Sequence, residues 1–307
     1  QLCTFNDDIQ GTGAVAAAGV LAAVRAIGGK MKDQQVVILG AGSAAMGIGD
    51  QLVMAMKQEG VDLASARSRI WLVDSQGLVL KERPNLEPGK SRFAQPADRT
   101  AEWTVKNRAQ IDLSETVRYA RPTVLIGTSA QPNVFTEDIV RTMASDHPRP
   151  MPRPIIFPLS NPTSKCEAAP ADLLAWTDGR ALVATGSPYA PVTIHGKSRV
   201  IGQCNNAYIF PGMGLGVTAS GARRVTDEMF FAAARTLADL SPAMGDPDGS
   251  LFPDLTTIRD VSRRVALAVA KMAQSQGHAE STTPEELERR IRAKTWTPRY
   301  PHLRRSS

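Results

Sequence analysis

The chain has 307 residues, of which 42% are hydrophobic and 21% charged, and its formal net charge is +6. These totals are typical of a globular protein of about one or two domains. No run of about eighteen uninterrupted apolar residues is present, which argues against a membrane-spanning helix, and no basic and then apolar leader opens the chain. The basic residues are not interleaved with aromatic ones, so we do not expect nucleic acid as a partner.

Three widely separated cysteines, Cys3, Cys166 and Cys204, favour a reducing cytoplasm over a disulfide framework. The sequence starts at Gln1, without an initiator Met and directly before an acidic motif with functional character. We therefore expect it to be the C-terminal part of a longer protein.

The first motif is the acidic run FNDDIQGTG at 5–13, which leads into an alanine-rich helix predicted over 13–27. The adjacent carboxylates of Asp7 and Asp8, followed by small residues, suit a hard cation such as Mg²⁺ or Mn²⁺. The alternative is that the pair caps the helix, since Asp is a favoured N-cap residue. Taken alone, the pair favours capping, and the motifs that follow reverse that preference.

A short β-branched run at 35–39 has the pattern of a strand buried on both faces. It ends in Gly40 and Gly42, and Ala45 completes the G-x-G-x-x-G/A fingerprint of a dinucleotide-binding turn. The following helix is predicted to run to about residue 58, with its N-terminus facing the pyrophosphate. The sequence therefore predicts a dinucleotide site at this turn.

The next predicted strand, 70–73, ends at Asp74, which is placed to accept hydrogen bonds from the adenosine ribose hydroxyls. An acidic residue there normally favours NAD. Ser75, Lys81 and Lys90 could nevertheless accommodate the 2′-phosphate of NADP, unless these lysines are merely solvated loop residues. The cofactor choice between NAD and NADP stays open at this point.

The remaining elements alternate between short apolar strands and helices. Residues 77–112 are polar and irregular, and we predict a surface loop with some helix there. Further strands are predicted at 123–127, 154–157 and 181–184, and helices at 136–144, 206–222, 227–240 and 257–276. This rhythm implies right-handed crossovers. It predicts a Rossmann-like, doubly wound α/β fold with a mainly parallel sheet and helices on both faces.

Six motifs occur in the order found in malic enzymes: FNDDIQGTG, VVILGAGSAAMGIG, LVDSQGL, FPLSNPTSKCE, ATGSPYAPV and CNNAYIFPGMGLGV. The later RRVTDEMFFAAARTLADL and WTPRY resemble the long-type branch of that family. The resemblance covers nearly the whole chain apart from 77–112. It implies an enzyme that oxidises L-malate with NAD or NADP in the presence of Mg²⁺ or Mn²⁺ and decarboxylates the product to pyruvate and carbon dioxide.

The resemblance also implies roles for individual residues. Asp8 is then a ligand of the divalent cation, and Asp7 lies beside the catalytic lysine and helps to set its protonation. Asn161 and Asn206 match asparagines placed between nicotinamide and substrate, and the pyrophosphate is lined by Gly40, Gly42, Ser43, Ala44 and Ala45. From the residues alone, an Asx turn for Asn161 and a helix cap for Asn206 remain alternatives.

The resemblance further implies that residues 1–277 form the NAD(P)-binding domain and 278–307 a C-terminal extension on the surface. The family's tyrosine acid, lysine base, substrate-binding arginine and two more acidic metal ligands would precede residue 1. Two alternatives therefore stay open: a nucleotide-binding module without turnover, and malolactic enzyme, which releases lactate. We expect a cytoplasmic homodimer or homotetramer of the full-length protein, with no membrane partner.

Overall fold

A central β-sheet organises the molecule, and the structure, a computed structural model, describes residues 3–145 and 153–297. The strands within these ranges are β1 (Val36–Leu39), β2 (Ile70–Asp74), β3 (Gly77–Leu78), β4 (Val124–Gly127), β5 (Ile155–Pro158), β6 (Leu182–Thr185), β7 (Val192–Ile194), β8 (Lys197–Arg199) and β9 (Gly202–Gln203). Seven of them form one sheet in the order β3-β2-β1-β4-β5-β6-β9, while β7 and β8 form a separate hairpin. All neighbours in the large sheet are parallel except β2 and β3.

Helices connect the strands and continue beyond the sheet. They are α1 (Thr12–Ala26), α2 (Ser43–Gln58), α3 (Leu63–Ser68), α4 (Pro88–Ser91), α5 (Leu113–Ala120), α6 (Glu137–Ser145), α7 (Pro170–Trp176), α8 (Phe210–Ser220), α9 (Asp227–Asp239), α10 (Ile258–Ser275) and α11 (Pro284–Lys294). A π-helical turn, Asp7–Gly11, precedes α1 directly. Short 3₁₀ turns occur at Met31–Asp33, Ala97–Thr100, Thr163–Lys165, Asn206–Tyr208, Pro242–Met244 and Leu255–Thr257.

Both faces of the sheet are buried, as the continuous apolar runs predict. On β1, Val36 and Ile38 belong to a core formed with α1, α2, α8, α9 and α10. The alternate residues Val37 and Leu39 belong to a second core formed with α5, α6 and α7. This two-sided core confirms the predicted doubly wound, mainly parallel fold.

The order in which the strands are added to the sheet reverses at β1. It passes from β1 through α2 to β2 on one side, and β4 then pairs with the other side of β1. Such a switch point leaves a crevice outside the carboxyl ends of the strands, where ligands bind in this class of fold. The dinucleotide turn predicted after residue 39 lies at this crevice.

The predicted irregular segment with some helix over residues 77–112 agrees with the structure, which has loops, α4 and a 3₁₀ turn there, but the segment also has a strand and buried residues that the sequence did not indicate. The segment pairs with β2 through β3, and it buries Val79, Phe93 and Trp103 against the sheet edge. Its apolar residues are widely and irregularly spaced among charged ones, so neither a helical nor a strand period is visible in the sequence.

The predicted helix over 206–222 is divided into a 3₁₀ turn and α8. Pro211 lies in the first turn of α8, where its missing N–H and fixed φ are tolerated, so the helix restarts there. Near the C-terminus, α11 buries Leu287 and Ile291 against α8 and α10. The last part of the predicted extension, residues 298–307, lies outside the described residues.

The stretch Asp7–Ala26, which joins the π-helical turn to α1, is the one described helix long and apolar enough to cross a membrane, and 72% of its apolar window is buried in the protein. Residues Ala14 to Ala18 of α1 are at most 1% exposed, and α1 packs on α2 and α9. The apolar character of α1 is therefore explained by its place in the core.

Candidate dinucleotide and carboxylate site

A cleft of about 730 Å³ opens at the carboxyl ends of β1, β2 and β4. Its lining includes the predicted cofactor residues Gly40, Gly42 and Asp74, together with Thr128, Ser129 and Gln110. The cleft coincides with the switch point of the sheet, which is the position expected for a dinucleotide.

The glycine-rich turn fits tightly against the loop that follows β4. Gly40 has a φ of +102°, and a Cβ atom there would lie 2.5 Å from the Thr128 hydroxyl oxygen. Only glycine satisfies both constraints. A Cβ on Gly42 would have no described heavy atom within 4 Å, so the backbone there is open to a ligand.

The N-terminus of α2 follows this turn and suits a pyrophosphate. Its N-cap residue is Gly42, and no side chain of the described residues caps the helix. The first N–H groups of α2 are therefore available to an anion at the positive end of the helix dipole. Ser43 is exposed and Ala44 half-buried in this first turn, while Ala45 is fully buried and permits close packing of α2 on the sheet.

Asp74 lies in the cleft in a network of cations. One Arg83 guanidinium nitrogen donates to both carboxylate oxygens of Asp74 at 2.8 Å, and Lys90 Nζ lies 3.5 Å from Oδ2. The backbone N–H of Gln76 donates to Oδ1 at 2.9 Å. Burial raises the pKa of Asp74, but the hydrogen bonds from Arg83 and Gln76 and the nearby positive charges outweigh it, so the pKa is lowered.

This network distinguishes Lys90 from Lys81. Lys90 is only 20% exposed at its side chain and contacts Asp74, so it is not a solvated loop residue. Ser75 and Lys81 are exposed, and Ser75 also lies in the lining of the cleft.

Asp7 and Asn206 come together although they are 199 residues apart in the sequence. The Asn206 side-chain amide donates to the Asp7 carbonyl oxygen and to Asp7 Oδ2, both at 3.1 Å. It also lies 3.1 Å from the Thr12 hydroxyl. We call Asp7, Thr12 and Asn206 the Asp7 cluster. Asp7 Oδ1 is buried and has no hydrogen-bond partner among the described residues, which leaves an unsatisfied acceptor of high cost.

The alternative capping roles of these residues are wrong. Asn6, not the Asp pair, caps the π-helical turn by accepting from the Ile9 N–H at 3.1 Å. Asn205, not Asn206, caps the following 3₁₀ turn by accepting from the Ala207 N–H at 2.9 Å. Asp7 and Asn206 are thus free of any role at a helix N-cap.

Asp8 is exposed, and its carboxylate oxygens have the donor chemistry that Mg²⁺ or Mn²⁺ requires. Within residues 3–145 and 153–297, however, no group of three His, Cys, Asp or Glu side chains is arranged to hold a metal ion. The described residues therefore offer the right type of ligand for such an ion, but too few ligands to hold it.

Asn161 follows β5 and is exposed. No hydrogen bond joins it to Asp7, Asp8 or Asn206 within the described ranges. Its neighbour Ser160 is buried and hydrogen-bonded. The structure therefore brings together Asp7 and Asn206, and separately Gly40, Gly42 and Asp74, but it does not link Asn161 to either set.

The Asp7 turn packs directly on the dinucleotide helix. A Cβ atom on Gly47 of α2 would lie 2.0 Å from the Ile9 carbonyl oxygen, and one on Gly13 would lie 2.4 Å from the Gly47 carbonyl oxygen. Backbone meets backbone at this crossing, so the position of Asp7 and Asp8 is tied to that of α2.

Sequence reasoning missed Thr128, Ser129 and Arg83. The first two follow β4 directly, and the rule that ligands bind at the carboxyl ends of strands could have indicated them. Arg83 carries no such signal, because its contact with Asp74 depends on how the irregular loop after β3 folds back.

Comparison with known proteins gives consistent matches. A family model described as "Malic enzyme, NAD binding domain" matches residues 9–274. The NAD-dependent malic enzyme of Aeromonas hydrophila is 52% identical over 307 residues, which are 100% of this chain and 53% of that protein. The corresponding enzyme of Acinetobacter baylyi is 49% identical over 300 residues, 98% of this chain and 52% of its own length.

Solved structures match as well. The crystal structure of Entamoeba histolytica malic enzyme aligns with a TM-score of 0.73 at 24% identity and covers 95% of this chain and 54% of its own. The malic enzyme of Pyrococcus horikoshii aligns with a TM-score of 0.71 at 25% identity. The alignment covers 95% of this chain and 60% of that protein's chain. The chain thus spans about half the length of the curated relatives that it matches.

Proposed function

Since the chain belongs to the malic enzyme family, we propose that the protein containing it oxidises and decarboxylates L-malate to pyruvate and carbon dioxide while reducing NAD. The observation that carries this proposal is the Asp7 cluster. It holds a half-buried carboxylate on a turn that packs against the dinucleotide helix. A cationic group supplied by the rest of the protein would pair with the accessible side of this carboxylate.

The roles of the polar residues follow from this geometry. Asp7 holds a catalytic basic side chain through its negative charge, while Asn206 fixes the carboxylate by donating to Oδ2. Asn206 and Asn161 bind the substrate, since carboxamides recognise carboxylates and the nicotinamide amide without adding charge. Asn161 also contacts the cofactor in this proposal.

We assign Asp8 as one ligand of a Mg²⁺ or Mn²⁺ ion, with the remaining ligands supplied by other parts of the protein. When bound, such an ion supplies Lewis acidity toward the hydroxyl and carboxylate of malate. Asp8 itself contributes an exposed carboxylate on a rigidly packed turn. This position lets a ligand reach it without rearrangement of the dinucleotide helix.

NAD is the preferred cofactor in this proposal and NADP the weaker one. The Asp74 carboxylate accepts hydrogen bonds from ribose hydroxyls, whereas it repels the 2′-phosphate of NADP. Arg83 and Lys90 partly neutralise that charge, so the preference for NAD over NADP is limited. The relatives' names, which specify NAD, agree with this order.

The full-length protein is proposed to be a cytoplasmic homodimer or homotetramer. All three cysteines are free thiols, which suits a reducing compartment. Light scattering on the purified full-length protein tests the oligomeric state, and a monodisperse monomer would refute it.

The activity is tested with the full-length protein, L-malate, Mn²⁺ and NAD. We expect malate-dependent and Mn²⁺-dependent formation of NADH, with pyruvate as the product by chromatography. Asp7→Asn should lower kcat by about 10²–10⁴-fold, the usual contribution of an acid–base group, and Asp239→Asn on the surface should not. Lactate without net NADH would instead assign malolactic activity, and neither product would refute both functions.

A further inference from the structure

Glu167 is a buried carboxylate that the proposed reaction does not use. It is 0% exposed, and no ion pair reaches it from the described residues. Burying an unpaired charge is costly, so a residue of this kind in a core requires an explanation. The space for it is made by Gly127 at the end of β4, where a Cβ atom would lie 2.4 Å from the Glu167 Cδ.

Four donors satisfy the carboxylate in place of a cation. Oε1 accepts from the Ser129 N–H at 2.9 Å, from the Ser129 hydroxyl at 3.0 Å and from the Ser160 hydroxyl at 2.5 Å. Oε2 accepts from the Ser160 N–H at 3.2 Å. Both carboxylate oxygens therefore have hydrogen-bond donors, as buried polar atoms generally do.

These donors belong to two loops on neighbouring strands. Ser129 follows β4 and lies in the lining of the cleft, and Ser160 follows β5 and precedes Asn161. The Ser160 hydroxyl also accepts from the Ala130 N–H at 2.8 Å. Ala130 has a φ of +56°, a conformation that non-glycine residues hold only where the surroundings impose it.

We propose that Glu167 is a positioning residue that fixes the Ser129 loop and the Asn161 loop relative to one another at the nicotinamide end of the cleft. This inference rests on the proposed function, since that function gives Asn161 its role. The adenosine end, with Asp74 and Arg83, is outside this network. Glu167 should therefore act on the reaction geometry more than on the affinity for NAD.

The test is Glu167→Gln in the full-length protein. The amide has the same shape but places an N–H group opposite one of the donors, so the two loops lose their common acceptor. We expect kcat to fall about 10- to 100-fold, because a displacement of about 1 Å near reacting atoms has such an effect. The NAD dissociation constant should change less than about threefold, since the adenosine contacts remain.

Ser160→Ala and the double variant show whether Glu167 acts through Ser160. The double variant should lower kcat no further than Glu167→Gln alone, because coupled residues are not additive. Asp248→Asn, which alters a carboxylate paired with Arg153 and Arg199 elsewhere, is the control and should leave kcat unchanged. Unchanged kcat in Glu167→Gln, or additive losses, would overturn the proposal.

Amide hydrogen exchange separates this proposal from the proposed function. With NAD bound, Glu167→Gln should speed exchange at Ala130 and Ser160 about tenfold, as expected from loss of a charged acceptor. This readout needs no malate turnover, and unchanged exchange would overturn the positioning role by itself. If Glu167→Gln does not fold, Ser160→Ala alone must show both the loss in kcat and the faster exchange at Ala130.

Discussion

Asp74 combines two interactions that its sequence position alone does not reveal. It faces the cleft as the fingerprint predicts, yet Arg83 already donates to both of its oxygens. The ion pair is largely shielded, with side-chain exposures of 14% and 12%. The carboxylate therefore holds the loop after β3 in place, and in the proposed function the same atoms recognise ribose.

Replacing Asp74 by Asn should change the cofactor preference. Arg83 and Lys90 then lose their anionic partner, and the uncompensated positive charge favours a 2′-phosphate. We expect the ratio of NADP to NAD affinity to rise at least about tenfold, the equivalent of about 1.4 kcal/mol. Calorimetric titration of the full-length protein with each cofactor measures the ratio.

The pH dependence offers an internal control for this prediction. The pKa of Asp74 is lowered, and the ordinary value for Asp is about 3.9. The carboxylate is therefore charged throughout the range from about pH 5 to pH 8, and the wild-type ratio should stay constant there. Asp138→Asn on the exposed first turn of α6 should not alter it. A ratio unchanged in Asp74→Asn would contradict the assigned role of Asp74.

The adjacent asparagines 205 and 206 mark a limit of sequence reasoning at this scale. Asn205 caps a 3₁₀ turn and Asn206 contacts Asp7. Either residue satisfies the preference for a cap, and only the path of the chain decides between them. Local preference therefore predicts that a cap is present but not which side chain is left for function.

At the level of whole elements, the crossing of the Asp7 turn over α2 couples two motifs that are separate in the sequence. Gly47 lies directly beneath the Ile9 carbonyl, and Gly13 beneath Gly47. The glycines of both motifs thus serve a close backbone approach as well as a ligand. The position of Asp7 and Asp8 is therefore fixed relative to the dinucleotide turn by this backbone contact.

Gly47→Ala tests this coupling. Its Cβ would lie 2.0 Å from a backbone oxygen, so the Asp7 turn must shift, at a cost of about 1–3 kcal/mol in stability. We expect kcat of the full-length protein to fall about 10²-fold if the shift approaches 1 Å, with a higher KM for Mn²⁺. Thermal unfolding and steady-state kinetics measure both effects.

Gly214→Ala is the matched control for the helix change. It lies within α8, and its Cβ would meet no described heavy atom within 4 Å. Relief of glycine's entropy cost should stabilise the protein by about 0.5–1 kcal/mol without changing kcat. Full activity in Gly47→Ala would show that the crossing does not set the position of Asp7.

The strands of the sheet differ in how well the sequence predicts them. Four-residue apolar runs such as Val36–Leu39 and Val124–Gly127 are buried on both faces and were predicted within about one residue, because a short continuous apolar run bounded by turn residues is typical of a buried strand. The two- and three-residue strands β3, β7, β8 and β9 were missed. Their pairing depends on neighbouring strands, and such short segments contain no period of their own.

For the whole molecule, the difference between local and long-range structure also separates the two parts of the site. The dinucleotide turn is local, because one strand, one turn and one helix form it, and the sequence predicted it. The Asp7 cluster joins residues that are 199 positions apart, and the Glu167 network joins the loop after β4 to the loop after β5. The ordered family motifs placed Asp7 and Asn206 in one site. The motif FPLSNPTSKCE contains Ser160 and Glu167, but it does not indicate that Glu167 contacts Ser129.

The chain of residues 1–307 on its own provides the last prediction. It contains the complete dinucleotide turn, but Asp7 Oδ1 has no partner and no three-ligand metal group exists within the described ranges. We expect this chain to bind NAD in a calorimetric titration. We expect it to form no NADH from malate and Mn²⁺ above about 10⁻⁴ of the rate of the full-length protein, because acid–base groups contribute about 10²–10⁴-fold each.

The control is the same titration with Gly40→Ala. A Cβ at that position would lie 2.5 Å from Thr128 Oγ1 on a backbone with φ of +102°, so NAD binding should be lost while binding by Gly214→Ala persists. Turnover by residues 1–307 at a rate near that of the full-length protein would mean that the described residues suffice for catalysis. Asp7 would then need a role that involves no group from the rest of the protein.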